Sequence, residues 1–284
     1  MTCAWKELVE ILPMWMRREV DELRTAQMQE VRLRINSPPE LVFSAESRWL
    51  ERKISQDDLG YTVNTASRYS PWAASSAARG YITIAGGHRL GLCGDAVIHQ
   101  GRITGLKNIS SICIRIARDC PGIAAGLSNI TGNALIIGPP GWGKTTLLRD
   151  WIRQLEHAER ICVVDERGEL FPEGLPRGRC TDILTGCSKR EGISMLLRTM
   201  GPSCIAADEI TDSEDAFALL QAANCGVRLL ATAHAASVSD LLRRSIYRPL
   251  LENHVFSIFL VLKRDRSYTV ERMTQWVTNG SAQY

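Results

Sequence analysis

Residues 138–145 constrain this chain more than any other segment, because they form a complete GxxxxGK[ST] pattern. In order, they are Gly138, Pro139, Pro140, Gly141, Trp142, Gly143, Lys144 and Thr145. A glycine-rich turn of this kind points consecutive backbone N–H groups at a phosphate chain, and the N-terminus of the following helix adds partial positive charge. The lysine of the pattern neutralises the β- and γ-phosphates, and the threonine hydroxyl binds Mg²⁺. We therefore predict that these residues and Thr146 bind a nucleoside triphosphate.

The residues on either side of this loop agree with the prediction. Residues 134–137 form a short apolar run typical of a buried strand, and residues 146–152 have apolar residues at helical spacing. A strand before the loop and a helix after it are the flanks that the pattern requires. A chance glycine-rich turn is the weaker alternative.

Two further apolar runs end in acidic pairs. One covers residues 204–209 and ends at Asp208 and Glu209, and the other covers residues 161–166 and ends at Asp165 and Glu166. The second run fits a strand inserted between the phosphate-loop strand and the strand that ends at Asp208. Because ligand sites of parallel sheets lie at the carboxyl ends of strands, we expect all four acids to face one crevice.

A nucleotide hydrolase needs a carboxylate for its Mg²⁺ and a base or orienting group for the attacking water. We assign Asp208 to Mg²⁺ together with Thr145, and Glu209 to the water. Glu166 is a second candidate for the water. The alternatives are an ordinary strand end with solvated acids for the first pair, and a salt bridge to Arg167 or Arg149 for Glu166.

Residues 229–234 form another apolar run, which ends in polar residues that we place at the same crevice. Thr232 and His234 could sense the γ-phosphate by hydrogen bonding, and histidine is a natural switch donor. Trp142 is unusually bulky for a phosphate loop. It either covers the nucleotide or packs against a neighbouring domain.

The organisation of the chain predicts two domains. A smaller α+β domain over residues 1–120 has a role in regulation, oligomerisation or docking, and residues 121–284 form the nucleotide-binding domain. In the first we expect two short helices within residues 1–25, and a helix or a helix pair broken near Pro71 over 62–78. We also expect strands over 30–35, 40–43, 81–84, 88–98 and 102–118. In the second we expect strands at 134–137, 161–165, 204–208, 228–233 and 255–262, alternating with helices at 144–156, 193–200, 213–223 and 238–246. Such alternation builds an α/β fold with a mostly parallel sheet and helices on both faces.

Composition excludes several other classes of protein. The 284 residues are 45% hydrophobic and 23% charged, which is typical of a globular chain and not of a disordered one. Nine cysteines without a CxxC pair indicate a reducing compartment and no zinc site. No apolar run approaches the ~20 residues that span a bilayer, so we expect a cytoplasmic protein. The net charge of +3, with arginines clustered near Arg32, Arg115 and Arg243, favours solvated or partner-contacting faces over a nucleic-acid site.

Most of the chain resembles the stage III sporulation protein AA ATPases, which belong with the type II and type IV secretion ATPases of the RecA-like class. In the C-terminal half the resembling segments are GPPGWGKTTLLRD at 138–150, VVDERGEL at 163–170, AADEI at 206–210 and LLATAHAAS at 229–237. In the N-terminal half they are EVRLRI at 30–35, GYITIAGGHRLGLCG at 80–94 and NISSICIRIARDCPG at 108–122. The first set identifies an ATPase, and the second narrows the resemblance to the sporulation family.

The resemblance implies a hexameric, Mg²⁺-dependent ATPase in the mother-cell cytoplasm, docked on membrane channel proteins that link that cell to the forespore. It implies that Lys144 and Thr145 act in the Walker A loop and Asp208 and Glu209 in Walker B. Further roles are implied for Glu166 in an aspartate box, for His234 in a histidine box, and for Arg115 and Arg118 as arginines that reach nucleotide. The remaining alternatives are a nucleic-acid-stimulated motor and a nucleotide-gated scaffold that does not hydrolyse ATP.

Overall fold

The computed structural model describes residues 3–24, 28–43, 46–67, 80–155, 159–172 and 175–273. The chain divides into two compact units. One consists of Met1–Asp119 with Pro172–Leu175, and the other of Cys120–Phe171 with Pro176–Tyr284. Within the described residues, no helix is both long enough and apolar enough to cross a membrane.

The N-terminal unit is an antiparallel sheet with three α-helices among its described residues. Its elements are α1 (Trp5–Ile11), α2 (Arg17–Glu22), β1 (Met28–Arg34), β2 (Glu40–Phe43), β3 (Ser47–Trp49), α3 (Gln56–Ser67), β4 (Tyr81–Thr83), β5 (Arg89–His99) and β6 (Arg102–Arg115). The six strands lie in the order β3-β2-β1-β6-β5-β4, and every pair is antiparallel.

Alternation of apolar and polar residues explains how this sheet packs. In β1, Val31 and Leu33 are buried and pair with Ile114 and Ile112 of β6, while the charged residues between them point to the other face. The apolar faces of the three helices join the same core. The predicted helix over 62–78 differs from the structure, since α3 begins at Gln56, and residues 68–78 of that prediction lie outside the described part of the chain.

The C-terminal unit is a seven-stranded, mostly parallel sheet. Its elements are β7 (Ala134–Ile137), α4 (Lys144–Leu155), β8 (Ile161–Asp165), β9 (Thr181–Thr185), α5 (Lys189–Thr199), β10 (Cys204–Ala207), α6 (Ser213–Asn224), β11 (Arg228–Ala233), α7 (Val238–Leu242), α8 (Arg248–Glu252), β12 (Ile258–Leu262) and β13 (Tyr268–Arg272). The strand order is β13-β12-β7-β11-β10-β8-β9, and only β13 runs antiparallel to its neighbour.

Each face of this sheet has its own core, because successive strand residues point to opposite faces. From β7, Leu135 and Ile137 join a cluster with apolar residues of α5 to α8. Ala134 and Ile136 join a second cluster with the apolar face of α4. The predicted α/β class, with helices on both faces of a mostly parallel sheet, is confirmed.

Several local predictions for this unit are wrong. Residues 161–165 do form a strand, but β11, not β8, lies between the phosphate-loop strand and the strand that ends at Asp208. The helix predicted at 193–200 begins at Lys189, and the one predicted at 238–246 ends at Leu242. The elements β9, α8 and β13 were not predicted at all. These are short, and both strands lie at edges of the sheet with much of their surface exposed.

Candidate nucleotide site

The phosphate loop joins β7 to α4. Its glycines lie where any larger residue would be strained or crowded. Gly141 and Gly143 adopt φ angles of +77° and +96°, in the left-handed region that favours glycine. A Cβ atom at Gly138 would lie 3.1 Å from the Cβ of Leu262 on β12, so a side chain there would crowd the neighbouring strand. Lys144 is the first residue of α4, which places the helix N-terminus directly behind the loop.

The Lys144 side chain is buried and folds back over its own loop. Its Nζ donates hydrogen bonds to the carbonyl oxygens of Gly138 at 2.9 Å and Pro139 at 3.1 Å, and lies 3.1 Å from Nδ1 of His234. Burial lowers the pKa of Lys144, and the carboxylates of Glu209 and Asp208 act in the opposite direction. The ammonium is therefore held at the loop by acceptors that phosphate oxygens can replace.

Asp208 follows β10 and faces the first turn of α4. The hydroxyl of Thr145 lies 3.4 and 3.3 Å from the two carboxylate oxygens of Asp208, and Thr232 Oγ1 donates to one of them at 2.9 Å. One hydroxyl and one carboxylate, both hard oxygen ligands at the mouth of a phosphate loop, fit a Mg²⁺ ion that also binds phosphates. Thr232 was expected to sense phosphate at the crevice, but it is fully buried and orients Asp208 instead.

His234 connects the loop lysine to Glu209. Its Nε2 lies 2.8 Å from Glu209 Oε1, while its Nδ1 faces the Lys144 ammonium. Because an ammonium has only donors, Nδ1 must accept, and the proton of the neutral ring then lies on Nε2, the nitrogen that faces Glu209. Lys144, His234 and Glu209 therefore form one continuous series of polar contacts.

The four predicted acids line one pocket, as expected from the strand ends. Asp165, Glu166, Asp208 and Glu209 all contribute to its wall. Asp165, however, is only 1% exposed and accepts hydrogen bonds from the backbone N–H groups of three residues of the following loop. These donors are Glu169 at 2.8 Å, Leu170 at 2.9 Å and Phe171 at 3.0 Å. Burial raises the pKa of Asp165 even though these donors favour its charged form.

The profile of the family described as Sporulation stage III, protein AA matches residues 4–272 of the chain. The chain belongs to this family. It is 38% identical over 278 residues to Stage III sporulation protein AA of Bacillus subtilis (strain 168), a match that covers 91% of each chain. The resemblance identified from the sequence segments is therefore confirmed.

Solved structures show the same fold at low sequence identity. The ATPase DotB of Legionella pneumophila aligns with a TM-score of 0.59 and 18% identity over 92% of this chain and 80% of its own. The pilus retraction motor PilT with bound ADP aligns with a TM-score of 0.59 and 14% identity over 89% of this chain and 80% of its own. This chain therefore has the RecA-like fold that DotB and PilT also have.

Glu166 of this family member does form a salt bridge, but with a partner that was not predicted. Its Oε2 accepts a hydrogen bond from Nζ of Lys189 at 2.9 Å. Arg149, one of the two predicted partners, donates instead to the carbonyl oxygens of Leu170 and Glu169. The carboxylate of Glu166 is 37% exposed and so stays accessible from the pocket.

Trp142 and Thr146 belong to the loop and the first turn of α4, and both are half-buried. Trp142 packs against the apolar cluster beneath α4, in its own unit. This contact anchors the phosphate loop to the core and gives the large side chain a role that neither prediction named.

Arg115 and Arg118 both lie in the N-terminal unit. Arg115 is 3.6 Å from Glu30, and Arg118 donates to the carbonyl oxygen of Met28 at 2.8 Å. Their implied contact with nucleotide stays a prediction. Arg32 also pairs with Glu30, at 2.7 Å, so this one carboxylate contacts two arginines of the sheet.

Two residues near the site were not singled out from the sequence for the parts they take. Thr232 is buried and donates to Asp208, and Lys189 lies in a helix turn that the predicted start at residue 193 leaves out. A capping signal was present, since Ser188 and Glu191 form a Ser-x-x-Glu pattern in which Ser188 accepts from the Glu191 N–H at 3.2 Å. That signal would have placed Lys189 in the first turn of α5.

Proposed function

We propose that this chain is a Mg²⁺-dependent ATPase that energises or assembles a secretion-like channel complex between mother cell and forespore. It acts as a homo-hexamer in the cytoplasm, held at the membrane by channel proteins. One observation carries the chemical part of this proposal. Direct contacts bring together the lysine of a phosphate loop, a paired hydroxyl and carboxylate, and a glutamate that lies against a histidine.

The residues divide the work of hydrolysis among them. Backbone N–H groups of residues 138–145 and the Lys144 ammonium neutralise the β- and γ-phosphates. Thr145 and Asp208 would hold Mg²⁺, which supplies further positive charge at the same oxygens. Glu209 orients the attacking water and accepts its proton, while Glu166 is the second carboxylate within the pocket.

His234 couples the position of Glu209 to the phosphate loop through its contact with Lys144. When phosphate oxygens replace the present acceptors of Lys144, the His234 Nδ1 loses its donor, and the contact of Nε2 with Glu209 is free to rearrange. Binding of the triphosphate thus releases the glutamate for the water. The contacts of Lys144 with His234 at 3.1 Å and of His234 with Glu209 at 2.8 Å support this coupling.

Similarity to known proteins supports the cellular context. The bound ADP of PilT, whose chain has the same fold, is consistent with nucleotide binding here. Membership in the sporulation stage III protein AA family supports a role in sporulation. In other phosphate-loop enzymes an arginine from a neighbouring subunit contributes about 10³ to 10⁵ in rate. Arg115 and Arg118 are the candidates for that role.

The test is release of inorganic phosphate from Mg²⁺-ATP, measured against protein concentration. We expect turnover per protomer to rise as the protein assembles, and Lys144→Ala to abolish it at every concentration. Lys107→Ala, at an exposed lysine of β6, is the matched control and should behave as wild type. Turnover that stays flat through assembly would contradict a shared site, and phosphate release that survives Lys144→Ala would contradict the site itself.

The same assay distinguishes the alternatives. Stimulation by DNA or RNA that is lost as salt rises would indicate a nucleic-acid motor. Sporulation that survives in cells carrying Glu209→Gln, a variant expected to bind but not hydrolyse ATP, would indicate a scaffold. An ATP-driven machine requires sporulation to fail in that variant.

A further inference from the structure

Lys189 is a buried cation next to the proposed hydrolytic site. Its side chain is 5% exposed, and it lines the same pocket as Glu166, Asp208 and Glu209. Burying an ammonium without acidic partners costs free energy, so Lys189 requires acidic partners at this position. Nothing in the phosphate-binding motif itself requires a lysine here.

Two carboxylates from different elements bind the Lys189 ammonium. Glu166, directly after β8, accepts at 2.9 Å, and Asp215, in the first turn of α6, lies at 3.2 Å. Burial disfavours the charge of Lys189, yet these two acids outweigh that effect and raise its pKa. The lysine is therefore a fixed positive charge between the end of one strand and the start of a helix.

Asp215 is itself held rigidly. Its side chain is 7% exposed, and its Oδ2 accepts from both the backbone N–H and the hydroxyl of Thr211, each at 2.9 Å. Thr211 comes two residues after Glu209 and also lines the pocket. The contacts thus run without interruption from Glu166 through Lys189 and Asp215 to the segment that carries Glu209.

The charge balance of the pocket gives this arrangement a second consequence. Besides Glu166, the acids in the wall are Asp165, Glu169, Asp208 and Glu209, and the other cation there is Arg167. Such an excess of carboxylates repels the triphosphate of an incoming nucleotide. Neutralising Glu166 by a lysine that cannot swing away reduces this repulsion and keeps the carboxylate in one orientation.

We propose that Lys189 is a positioning residue for ATP hydrolysis: it holds the Glu166 carboxylate at the pocket and ties the carboxyl end of β8 to the Glu209–Thr211 segment. Lys189 acts through Glu166 and does not itself touch the nucleotide. The inference rests on the proposed hydrolytic function.

The test is a double-mutant cycle in kcat and KM for Mg²⁺-ATP with Lys189→Met and Glu166→Gln. Lys189→Met should lower kcat about 10- to 100-fold, the factor that corresponds to one hydrogen bond between charged groups, while KM changes less than about threefold. In the Glu166→Gln background the same substitution should lower kcat no further than about twofold, because the partner it acts through is already altered. Lys189→Arg keeps the charge and should remain within about fivefold of wild type.

Arg190→Met is the matched control. Arg190 is the next residue of α5 and pairs with Glu214 of α6 at 3.3 Å, but it is 59% exposed and does not line the pocket. It removes an ion pair between the same two helices without affecting Glu166, so kcat should stay within about twofold of wild type, as expected for an exposed ion pair. If Lys189→Met does not fold, as judged by thermal melting, Lys189→Gln replaces it and carries the same expectations.

Each outcome decides between the two claims. Equal losses of kcat from Lys189→Met in both backgrounds, or a loss confined to melting temperature, would overturn the positioning role and leave the ATPase proposal standing. A large increase in KM that is independent of Glu166 would mean that Lys189 binds the nucleotide directly, which also overturns it. Wild-type protein that releases no phosphate under any assembly condition would reject the ATPase proposal, and this inference with it.

Discussion

The ends of β8 and β10 carry the same sequence pattern, an apolar run followed by Asp-Glu, yet the two aspartates have different hydrogen-bond partners. Asp165 accepts three backbone N–H groups and fixes the loop that follows β8. Asp208 contacts two hydroxyls, one of them from the first turn after the phosphate loop. The donors around each carboxylate, and not the local sequence, decide which one anchors the chain and which one is placed to hold the proposed Mg²⁺.

The glutamates that follow them differ in the same way. Glu166 is bound to a buried lysine whose charge is fixed, while Glu209 is bound to a histidine that also contacts the loop lysine. Glu166 therefore keeps one environment, whereas the proposed mechanism changes the environment of Glu209 when a triphosphate draws Lys144 away. We expect Glu209 to have the larger effect on hydrolysis.

The largest expected effect separates the two aspartates. Asp208→Asn should lower kcat by about 10²- to 10³-fold with little change in stability, because it weakens charge stabilisation at the phosphates. Asp165→Ala should instead lower the free energy of unfolding by about 3 kcal/mol, since it leaves buried N–H groups without an acceptor. Phosphate release and urea denaturation, measured on both variants, check these expectations. An Asp165→Ala protein as stable as wild type would break the distinction.

The second effect ranks the two glutamates. Glu209→Gln should reduce kcat by about 10²-fold or more, as expected for loss of a group that accepts the proton of the water. Glu166→Gln should reduce it by about 10- to 100-fold, within the range for one charge-assisted contact. Single-turnover phosphate release gives both values, and Glu214→Gln at an exposed position of α6 serves as control. The reverse order would mean that the lysine-bound carboxylate is the principal one.

A smaller effect concerns the buried hydroxyl of Thr232, which donates a hydrogen bond to Asp208. Thr232→Val removes the donor at 2.9 Å with little change in shape. Because residues behind a metal ligand typically alter metal affinity by about 10- to 100-fold, the Mg²⁺ concentration for half-maximal turnover should rise about tenfold. A magnesium titration at saturating ATP measures it, and an unchanged midpoint would show that Thr145 and Asp208 need no support from Thr232.

The smallest effect is the pH dependence of the stability that the buried Asp165 carboxyl contributes. Because the folded pKa of Asp165 is raised by burial, the folded protein holds this proton more tightly than the unfolded chain does. Its contribution to stability is then full below about pH 4, the ordinary range of aspartate, and is lost as pH rises through the folded pKa. Relative to Asp165→Asn, wild type should lose unfolding free energy with rising pH, by at most about 1.4 kcal/mol per pH unit. Urea denaturation across this range would contradict the expectation if the difference had the opposite sign.

Much of this site could be predicted because its parts lie in short, characteristic segments. The phosphate loop has a fixed spacing, and β7, β8 and β10 are buried on both faces, so each forms a continuous apolar run before its polar end. The sequence could not show which distant segments lie next to each other in the fold. The order of strands, the Lys189 partner of Glu166 and the burial of Thr232 depend on contacts between segments far apart in the chain.

Other elements were missed for local reasons. β9 and β13 lie at opposite edges of the sheet, so their exposed faces carry charged or polar residues that break the apolar pattern. The start of α5 was placed late because its first turn is charged, although Lys189 is buried there. Lys189 is thus a charged residue at a buried position, and there the misplaced helix start coincides with a candidate for function.

The most direct measurement is equilibrium binding of Mg²⁺-ATP together with phosphate release, on the same assembled preparations of wild type, Lys144→Ala and Glu209→Gln. We expect that wild type binds and hydrolyses, that Lys144→Ala does neither, and that Glu209→Gln binds as tightly as wild type but releases phosphate about 10²-fold more slowly. Wild-type protein that neither binds Mg²⁺-ATP nor releases phosphate, or a Glu209→Gln protein with undiminished turnover, would contradict it.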